Sequence, residues 1–178
     1  MNGAAHRRMA LIAIAIFALD QTAKALALHF LGPDQERNVI DGFFKFVLWR
    51  NSGAAWSLLY GRNTLLAVVS LGAMAALYVW RKHFHAHTVL GQLALGLIFG
   101  GIAGNLFDRL DPHRQFVIDF LRFYIYRRSG AEIGFPAFNI ADSAICVGVG
   151  LLMLVSWKLE AAAGKQDVAS GETAMAKE

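Results

Sequence analysis

Four apolar stretches of nearly membrane-spanning length constrain this chain more than any other feature of its sequence. A transmembrane helix needs about 20 predominantly apolar residues to cross roughly 30 Å of hydrocarbon. The chain has 178 residues, of which 56% are hydrophobic, and its mean hydropathy of +0.43 exceeds that of a soluble domain. We therefore expect an all-α membrane protein with four transmembrane helices. The stretches run from Met9 to Leu31, from Thr64 to Trp80, from Val89 to Phe107 and from Ala137 to Trp157.

These stretches divide the chain into one domain and a tail. Residues 1–160 are expected to form a single four-helix domain with two longer loops, 32–63 and 108–138, on one side of the membrane. Residues 161–178 are rich in Ala, Gly, Lys and Glu, which predicts a disordered cytoplasmic tail. The basic residues Arg7 and Arg8 followed by an apolar run also resemble a secretory leader. The apolar pattern resumes at Ala25 and continues to Leu31, so we interpret the segment as a membrane span.

Basic residues beside the spans predict the orientation. Arg7 and Arg8 lie directly against the first span, which places both termini in the cytoplasm and the two longer loops in the periplasm. The total number of basic residues indicates the opposite orientation, because seven lie on the side of the termini and nine on the side of the two longer loops. The first helix and the short loops carry more weight in this rule, so we retain the cytoplasmic placement of the termini.

The two periplasmic loops differ in composition. The first contains Phe43, Phe44, Phe46 and Trp49 among branched residues, a pattern typical of strands, and predicts a small β-sheet platform on the membrane surface. The second, from Asp108 to Pro136, mixes aromatic residues with five arginines. Aromatic rings at headgroup depth and arginines that reach phosphates are typical of an interfacial loop, which is what we expect there.

Only three charged residues lie within the spans, and charge inside a membrane is costly enough to indicate a function or a structural pair. Asp20 and Lys24 are four residues apart with the acid first, so they share a helix face and can pair. A structural pair that joins the first helix to its neighbours explains them at least as well as catalysis does. On this interpretation, removing Asp20 alone should reduce the amount of folded protein more than removing both residues.

Asp119 and Asp142 flank the second loop and can meet. Asp119 follows three apolar residues, a setting that should raise its pKa by desolvation. Asp142 shares the first turn of the fourth helix with Asn139 and Ala141, where the helix dipole favours an ionised carboxylate. Two carboxylates in unlike environments can share a proton, so that one serves as base and the other as acid. The residues predict an intramembrane aspartyl hydrolase, although either aspartate alone can also be a hydrogen-bonded brace.

The end of the third helix carries further polar residues. Asn105 and Asp108 are three residues apart, and Arg109 beside them can neutralise the free carbonyl groups, so helix capping explains them as well as a functional site does. Small residues upstream give this helix a face that packs closely against other membrane helices. They are Gly96, Gly100, Gly101 and Gly104.

Metal and nucleic-acid binding are not expected. His83 and His87 have zinc-ligand spacing on a helix, with His85 between them, but no Asp, Glu or Cys nearby completes a site. The single cysteine, Cys146, excludes an intrachain disulfide and has no histidine near it in sequence, so we interpret it as a small core residue. The net charge of +4 is modest and accompanies no nucleic-acid-binding pattern.

Five blocks of residues stand in order along nearly all of positions 10–160. They are Asp20 with Lys24, Asn51-x-Gly53-x-Ala55, the segment from Gly101 to Arg109, the segment from Val117 to Phe120, and the segment from Phe135 to Asp142. Together they resemble the motifs of bacterial lipoprotein signal peptidase, also called signal peptidase II. The resemblance implies an inner-membrane aspartyl endopeptidase that cuts diacylglyceryl-modified prolipoproteins just before the lipidated cysteine. It also implies that Asp119 and Asp142 are the catalytic pair, with Asn51, Gly53, Asn105, Asp108, Arg109, Asn139 and Ala141 around the substrate.

Chemistry at the residue level is consistent with that resemblance. One aspartate would take a proton from a water molecule held between the pair, and the other would protonate the departing amine, so no metal or cofactor is required. We expect a monomer whose partners are its substrates and the membrane lipids. A proton-coupled carrier would also use charges inside the spans, but the sequence has no internal repeat. A membrane scaffold would explain the glycines and leave both aspartates without a role.

Overall fold

The described part of the chain contains four helices. The computed structural model describes residues 3–32, 35–53 and 59–175, with side chains up to Ala161. Three helices in this part of the chain are long and apolar enough to cross a membrane, namely α1, α3 and the first 22 residues of α4, whereas α2 is a shorter apolar helix of 17 residues. The fourth span therefore stays a prediction. The bounds are Gly3–Phe30 for α1, Asn63–Val79 for α2, Val89–Leu110 for α3 and Ile140–Met175 for α4.

Helix α3 is the centre of the bundle, since α1, α2 and α4 all pack against it. In its most apolar window 67% of the residues are buried, against 17% for α1 and 22% for α4, so the two outer helices present most of their apolar surface to the bilayer. Glycines permit the close packing. A Cβ atom on Gly101 would lie 2.4 Å from the Ala141 carbonyl oxygen of α4, and one on Gly104 would lie 2.5 Å from Asp20 Oδ2 of α1.

A four-stranded antiparallel sheet joins both long loops, in the order β1-β2-β3-β4. Its strands are β1 Arg37–Ile40, β2 Phe44–Asn51, β3 Val117–Tyr126 and β4 Glu132–Gly134. The first loop forms strands as predicted. The second loop, for which the sequence predicts an interfacial loop without strands, supplies β3 and β4 and completes the sheet, whereas its place at the membrane interface stays a prediction. Its aromatic residues pair across the strands, as Phe123 does with Phe44.

The sheet is fixed to the helices through β3. Val117, Ile118, Asp119 and Phe120 are all buried, because this end of β3 lies against α1, where Ile118 and Phe120 pack on Ala27 and Leu31. A strand normally alternates between a buried and an exposed face, so four consecutive buried residues indicate that both faces are covered here. Asp119 thus lies at the junction of sheet and helices.

The last helix starts later and continues further than the sequence predicts. Phe138 is held in an extended conformation by two backbone hydrogen bonds with Leu121 of β3, so α4 begins only at Ile140. Beyond the apolar span the backbone of α4 continues as helix to Met175, across most of the segment for which the sequence predicts a disordered tail. Residues 176–178 of that predicted tail lie outside the described residues.

Candidate active site

Asp119 and Asp142 come together around one asparagine. Asp119 lies in β3 and is 3% exposed, and Asp142 lies half-buried in the first turn of α4. Asn139 donates from its side-chain Nδ2 to Asp119 Oδ1 at 2.8 Å and from its backbone nitrogen to Asp142 Oδ2 at 3.1 Å. A single residue therefore contacts both carboxyl groups, although they are 23 positions apart in sequence.

The start of α4 orients Asp142. Asn139 is the N-cap residue, and its Oδ1 accepts a hydrogen bond from the Asp142 backbone nitrogen at 2.9 Å, while Asp142 Oδ2 accepts from the Asn139 nitrogen in return. This reciprocal arrangement has the geometry of a capping box, which satisfies two backbone N–H groups that the helix itself leaves free. The other carboxylate oxygen of Asp142 accepts from Asn105 Nδ2 at 2.7 Å.

Asp119 is surrounded by amide groups. Its Oδ2 accepts from Asn51 Nδ2 at 2.9 Å, and its Oδ1 accepts from Asn139. Burial first and the neighbouring charge of Asp142 second raise the pKa of Asp119 to about 7, even though the hydrogen bonds from Asn51 and Asn139 act in the opposite direction. Asn51 in turn accepts a hydrogen bond from the Gly53 nitrogen at 2.9 Å, which fixes its side chain at the end of β2.

Asn105 connects the aspartate pair to the interior of the bundle. Its Oδ1 accepts from Lys24 Nζ at 3.0 Å and from Asn139 Nδ2 at 3.1 Å. A lysine ammonium can only donate, so this contact fixes which end of the Asn105 amide is the oxygen and turns the NH₂ group toward Asp142. The orientation of a group that contacts Asp142 is thus set by a charge in α1.

Lys24 belongs to a fully buried charge cluster. Its Nζ lies 2.7 Å from Asp20 and 2.8 Å from Asp108, and all three side chains are 0% exposed. The second Asp20 oxygen accepts from the Ala141 nitrogen at 3.0 Å, a free N–H in the first turn of α4. Asp108 also lies 3.6 Å from Arg114, which reaches it from the surface. The cluster therefore joins α1, α3 and α4 directly behind the aspartate pair.

Arg109 lies at the end of α3 between that pair and the first loop. Its Nη2 donates to the Gly53 carbonyl at 3.1 Å and its Nη1 to the Asn105 carbonyl at 3.3 Å. The second contact is the helix-end interaction considered from the sequence, and the first joins α3 to the turn after β2. Among the described residues the buried Nε of Arg109 has no hydrogen-bond partner. Ala55, which completes the Asn51 motif, lies outside the described residues.

Three polar residues at this site were not predicted. Gln21 Nε2 lies within 3.2 Å of both Asp20 and Asp108, Asn63 donates to the Arg109 carbonyl at 2.9 Å, and Arg114 contacts Asp108. A glutamine next to an intramembrane aspartate is itself an expensive group in lipid, and that is the signal by which Gln21 could have been found. Asn63 and Arg114 carry no comparable signal, since polar loop residues are ordinary.

The histidines and the cysteine lie elsewhere. His85 Nε2 is 3.2 Å from Ser156 Oγ of α4. Cys146 is exposed on that same helix, so its interpretation as a small core residue is wrong. In the described ranges no group of three His, Cys, Asp or Glu side chains is placed to hold a metal ion.

Comparison with known proteins gives one consistent family. The family model for Signal peptidase (SPase) II matches residues 12–158. The lipoprotein signal peptidase of Syntrophotalea carbinolica is 37% identical over 161 residues, which cover 89% of this chain and 96% of that protein. The lipoprotein signal peptidase of Bacillus pumilus is 40% identical over 145 residues, with coverage of 81% and 88%. A bacterial membrane enzyme solved by the in meso method at 2.3 Å resolution superposes with a TM-score of 0.73 at 30% identity, with coverage of 84% and 87%.

Proposed function

The chain belongs to the signal peptidase II family, and from this membership we propose that it is an aspartic endopeptidase with Asp119 and Asp142 as its catalytic pair. Membership makes it a hydrolase of the bacterial inner membrane that removes signal peptides from prolipoproteins. The finer proposal is that it cuts diacylglyceryl-modified prolipoproteins immediately before the lipidated cysteine.

The observation that carries the proposal is the pair of carboxyl groups bridged by Asn139. They lie close enough that the charge of Asp142 contributes to raising the pKa of Asp119 to about 7. Two such groups hold one proton between them near neutral pH, because the second ionisation places like charges together in a buried site. A pair in that state contains both a base and an acid.

The proposed reaction uses both the ionised and the protonated carboxyl group of the pair. The ionised carboxylate takes a proton from a water molecule held between the pair, and the resulting hydroxide attacks the scissile carbonyl carbon. The protonated carboxyl then donates its proton to the departing amine nitrogen, which breaks the peptide bond. Asn51, Asn105 and Asn139 hold the carboxyl groups in position through neutral hydrogen bonds throughout the cycle.

Substrate contacts are proposed for the groups around the pair. Arg109 contacts the carbonyl groups of Asn105 and Gly53, and its buried Nε has no partner in the described part of the chain, which suits a carbonyl oxygen of the bound peptide. Gly53 and Arg109 join the turn after β2 to the end of α3, so they border the entry to the pair.

We propose that both termini are cytoplasmic and that α2 supplies the fourth span. The pair lies where α3 ends, α4 begins and the sheet is attached, so the sheet and the site share one end of the bundle. Placing that end in the periplasm brings water to the scissile bond while the acyl chains remain in lipid. Reporter fusions at Gln35 and after Trp157 should report opposite sides, and a cytoplasmic signal at Gln35 would contradict this orientation.

A lipopeptide cleavage assay on the purified protein tests the reaction. Asp119→Asn and Asp142→Asn should each abolish cleavage, and the double variant should be about as inactive as either single one because the two groups act as a unit. Asp41→Asn is the matched control, since Asp41 is an exposed carboxylate of the sheet that contacts Tyr126 and Tyr124. We expect it to retain activity.

The same variants separate the alternative functions. Substantial cleavage by either aspartate variant would refute the catalytic pair. Solute movement without a peptide product would indicate a carrier, and inhibition by a chelator that added zinc reverses would indicate a metallopeptidase. A scaffold would tolerate both substitutions and show no cleavage in the parent protein.

A further inference from the structure

Four buried side-chain nitrogen or oxygen atoms in the described part of the chain have no hydrogen-bond partner, and two of them belong to residues that contact each other. These two atoms are Oδ1 of Asn63, an acceptor, and Nε of Arg109, a donor. Roughly nine in ten buried polar groups in proteins are paired, so each exception requires an explanation. Two exceptions on contacting residues indicate a place where a bound molecule supplies the missing partners.

The orientation of the Asn63 amide is fixed by its contact with α3. Asn63 is the first residue of α2, and its Nδ2 donates to the Arg109 carbonyl at 2.9 Å. A backbone carbonyl can only accept, so the nitrogen end of the amide faces Arg109 and the oxygen end is turned away from it. Exchanging the two ends would place two oxygen atoms against each other. The free position of Oδ1 is therefore a consequence of this contact.

The two paired nitrogens of the Arg109 guanidinium connect Asn63 to both sides of the aspartate pair. Nη2 donates to the Gly53 carbonyl at 3.1 Å, and the Gly53 nitrogen donates to Asn51, which contacts one aspartate. Nη1 donates at 3.3 Å to the carbonyl of Asn105, whose amide contacts the other aspartate. Asn63 thus lies one residue beyond Arg109 at the border of the candidate active site.

An exposed turn precedes Asn63. In this turn, 59–62, the Arg62 nitrogen donates to the Leu59 carbonyl and Tyr60 is 75% exposed. Leu59 has a left-handed φ of 58°, which is strained for a residue with a side chain. Segments that open for ligands belong to the least stable parts of a protein. Movement of this strained surface turn gives a bound chain access to the half-buried Asn63.

The two free atoms select the chemistry of their partner. An anion would suit the Arg109 guanidinium but would be repelled by a carboxamide oxygen, and a cation would meet the reverse. A peptide backbone offers a neutral N–H donor and a neutral carbonyl acceptor in every unit. A peptide can therefore satisfy both Oδ1 of Asn63 and Nε of Arg109.

We infer that Asn63 is a substrate-binding residue whose Oδ1 accepts a hydrogen bond from a backbone N–H group of the bound prolipoprotein. The inference rests on the proposed function, because it assigns a further contact to the peptide substrate of that site. Asn63 contacts neither aspartate in the described hydrogen bonds, so it binds the substrate without taking part in the proton transfers. It also lies outside the five sequence blocks that resemble the family motifs.

Lipopeptides in which an ester replaces one backbone amide test this contact, because an ester oxygen cannot donate a hydrogen bond. The ester would be placed in turn at each residue before the lipidated cysteine, with the scissile bond unchanged. One ester should lower kcat/KM of the parent protein by about five- to tenfold, the effect of one lost hydrogen bond. Asn63→Ala should lose a similar factor with the all-amide peptide and little more with that ester.

A purely structural role gives a different pattern. If Asn63 only fastens α2 to the end of α3, Asn63→Ala should lower kcat/KM by the same factor for the amide peptide and for every ester. Asn63→Leu repeats the measurement with the volume of the side chain retained. Asn38→Ala is the matched control, since Asn38 is an exposed amide of the sheet whose Oδ1 already accepts from Tyr124. We expect it to leave every value unchanged.

Equilibrium binding of the same peptides to the Asp119→Asn variant separates this inference from the proposed function. The dissociation constants should show coupling between Asn63→Ala and the same ester, although this variant is not expected to cleave. A protein that cleaves the amide peptide but shows no coupling at any ester would overturn the inference and leave the proposed function intact. A water molecule as the partner of Oδ1 would give that result. A folded parent protein that neither binds nor cleaves the lipopeptide would overturn both.

Discussion

Replacement of Lys24 by methionine should destabilise the protein more than any neutralisation of one of its partners. Lys24 pairs with two carboxylates, Asp20 at 2.7 Å and Asp108 at 2.8 Å, in a cluster with no solvent exposure. The variant Lys24→Met keeps the length of the side chain and leaves both carboxylates without their shared cation. Among the ion pairs of the described residues, the distant Arg114 at 3.6 Å is then the one cation left to Asp108, and Asp20 retains none.

The loss in the free energy of unfolding depends on how many charged partners each substitution leaves unpaired. Removing one member of a buried pair costs about 3 to 5 kcal/mol, because an uncompensated charge remains, and Lys24→Met should fall in that range. Asp20→Asn should cost only about 1 to 2 kcal/mol, since Lys24 keeps Asp108 and Asn105 and the new amide oxygen can still accept from Ala141. The double variant Lys24→Met with Asp20→Asn should be more stable than Lys24→Met alone, because one of the two stranded charges is gone.

The two partners also reverse an expectation drawn from the sequence. If Asp20 were the only partner of Lys24, removing Asp20 alone would leave a buried lysine without a counter-charge, and removing both Asp20 and Lys24 would leave no unpaired charge. With Asp108 present, the lysine is still paired after Asp20→Ala, whereas Asp20→Ala with Lys24→Ala strands Asp108. We now expect the double alanine variant to be the less stable of the two.

Unfolding of the detergent-solubilised protein by dodecyl sulfate, followed by far-ultraviolet circular dichroism, measures these differences in the free energy of unfolding. Asn63→Ala is a useful control, because it removes a partly buried amide near the site without touching the cluster. The reasoning is refuted if Asp20→Asn is as destabilising as Lys24→Met, or if adding Asp20→Asn to Lys24→Met gives no recovery of stability.

Two further predictions concern the titration of Asp119 and the packing of α3. The folded pKa of Asp119 is about 7 against an ordinary 3.8, so the native state binds more protons between these values and stability should fall as pH rises through that window, by at most about 4 kcal/mol. Melting temperatures from pH 4.5 to 8 should fall more steeply in the parent protein than in Asp119→Asn, and equal profiles would contradict the assignment. Gly104→Ala should sharply reduce stability, because its Cβ would lie 2.5 Å from Asp20 Oδ2, whereas Gly72→Ala on α2 has open space and should be neutral. Comparable melting temperatures for the two glycine variants would show that the bundle adjusts at no cost.

The hydrophobic pattern predicted the bounds of α2 and α3 to within a few residues, because the length of the apolar stretch sets those bounds. The stretch from Val89 to Phe107 corresponds to α3, and the stretch from Thr64 to Trp80 corresponds to α2. The prediction failed by three residues at the start of α4, where tertiary contacts decide. Phe138 is apolar enough to continue a span, but pairing with Leu121 keeps it extended and Asn139 then caps the helix.

Local spacing predicted only the near half of the charge cluster. Asp20 and Lys24 are visible as a pair because they are four residues apart on one helix. Asp108 is 84 positions from Lys24 and was interpreted as a helix-end residue, since nothing in the sequence says that α1 and α3 meet there. The strands of the second loop were missed for the same reason. Their aromatic and basic composition is typical of a membrane interface as well as of strands. The strand conformation becomes evident only from the pairing of β3 with β2, which is distant in sequence.

The arrangement of charges and amides explains how the proposed pair can exchange a proton inside a charged protein. Lys24 does not contact either Asp119 or Asp142 in the described hydrogen bonds, because its ammonium reaches only as far as Asn105 Oδ1. A direct lysine contact would keep a carboxylate ionised and remove the acid form that the reaction requires. Through Asn105 the same charge orients a neutral donor toward Asp142 and leaves the protonation of the pair free to change. The cluster behind the site and the amides around it thus have different tasks. The cluster binds the helices together with paired charges, and the amides transmit its geometry to the aspartates.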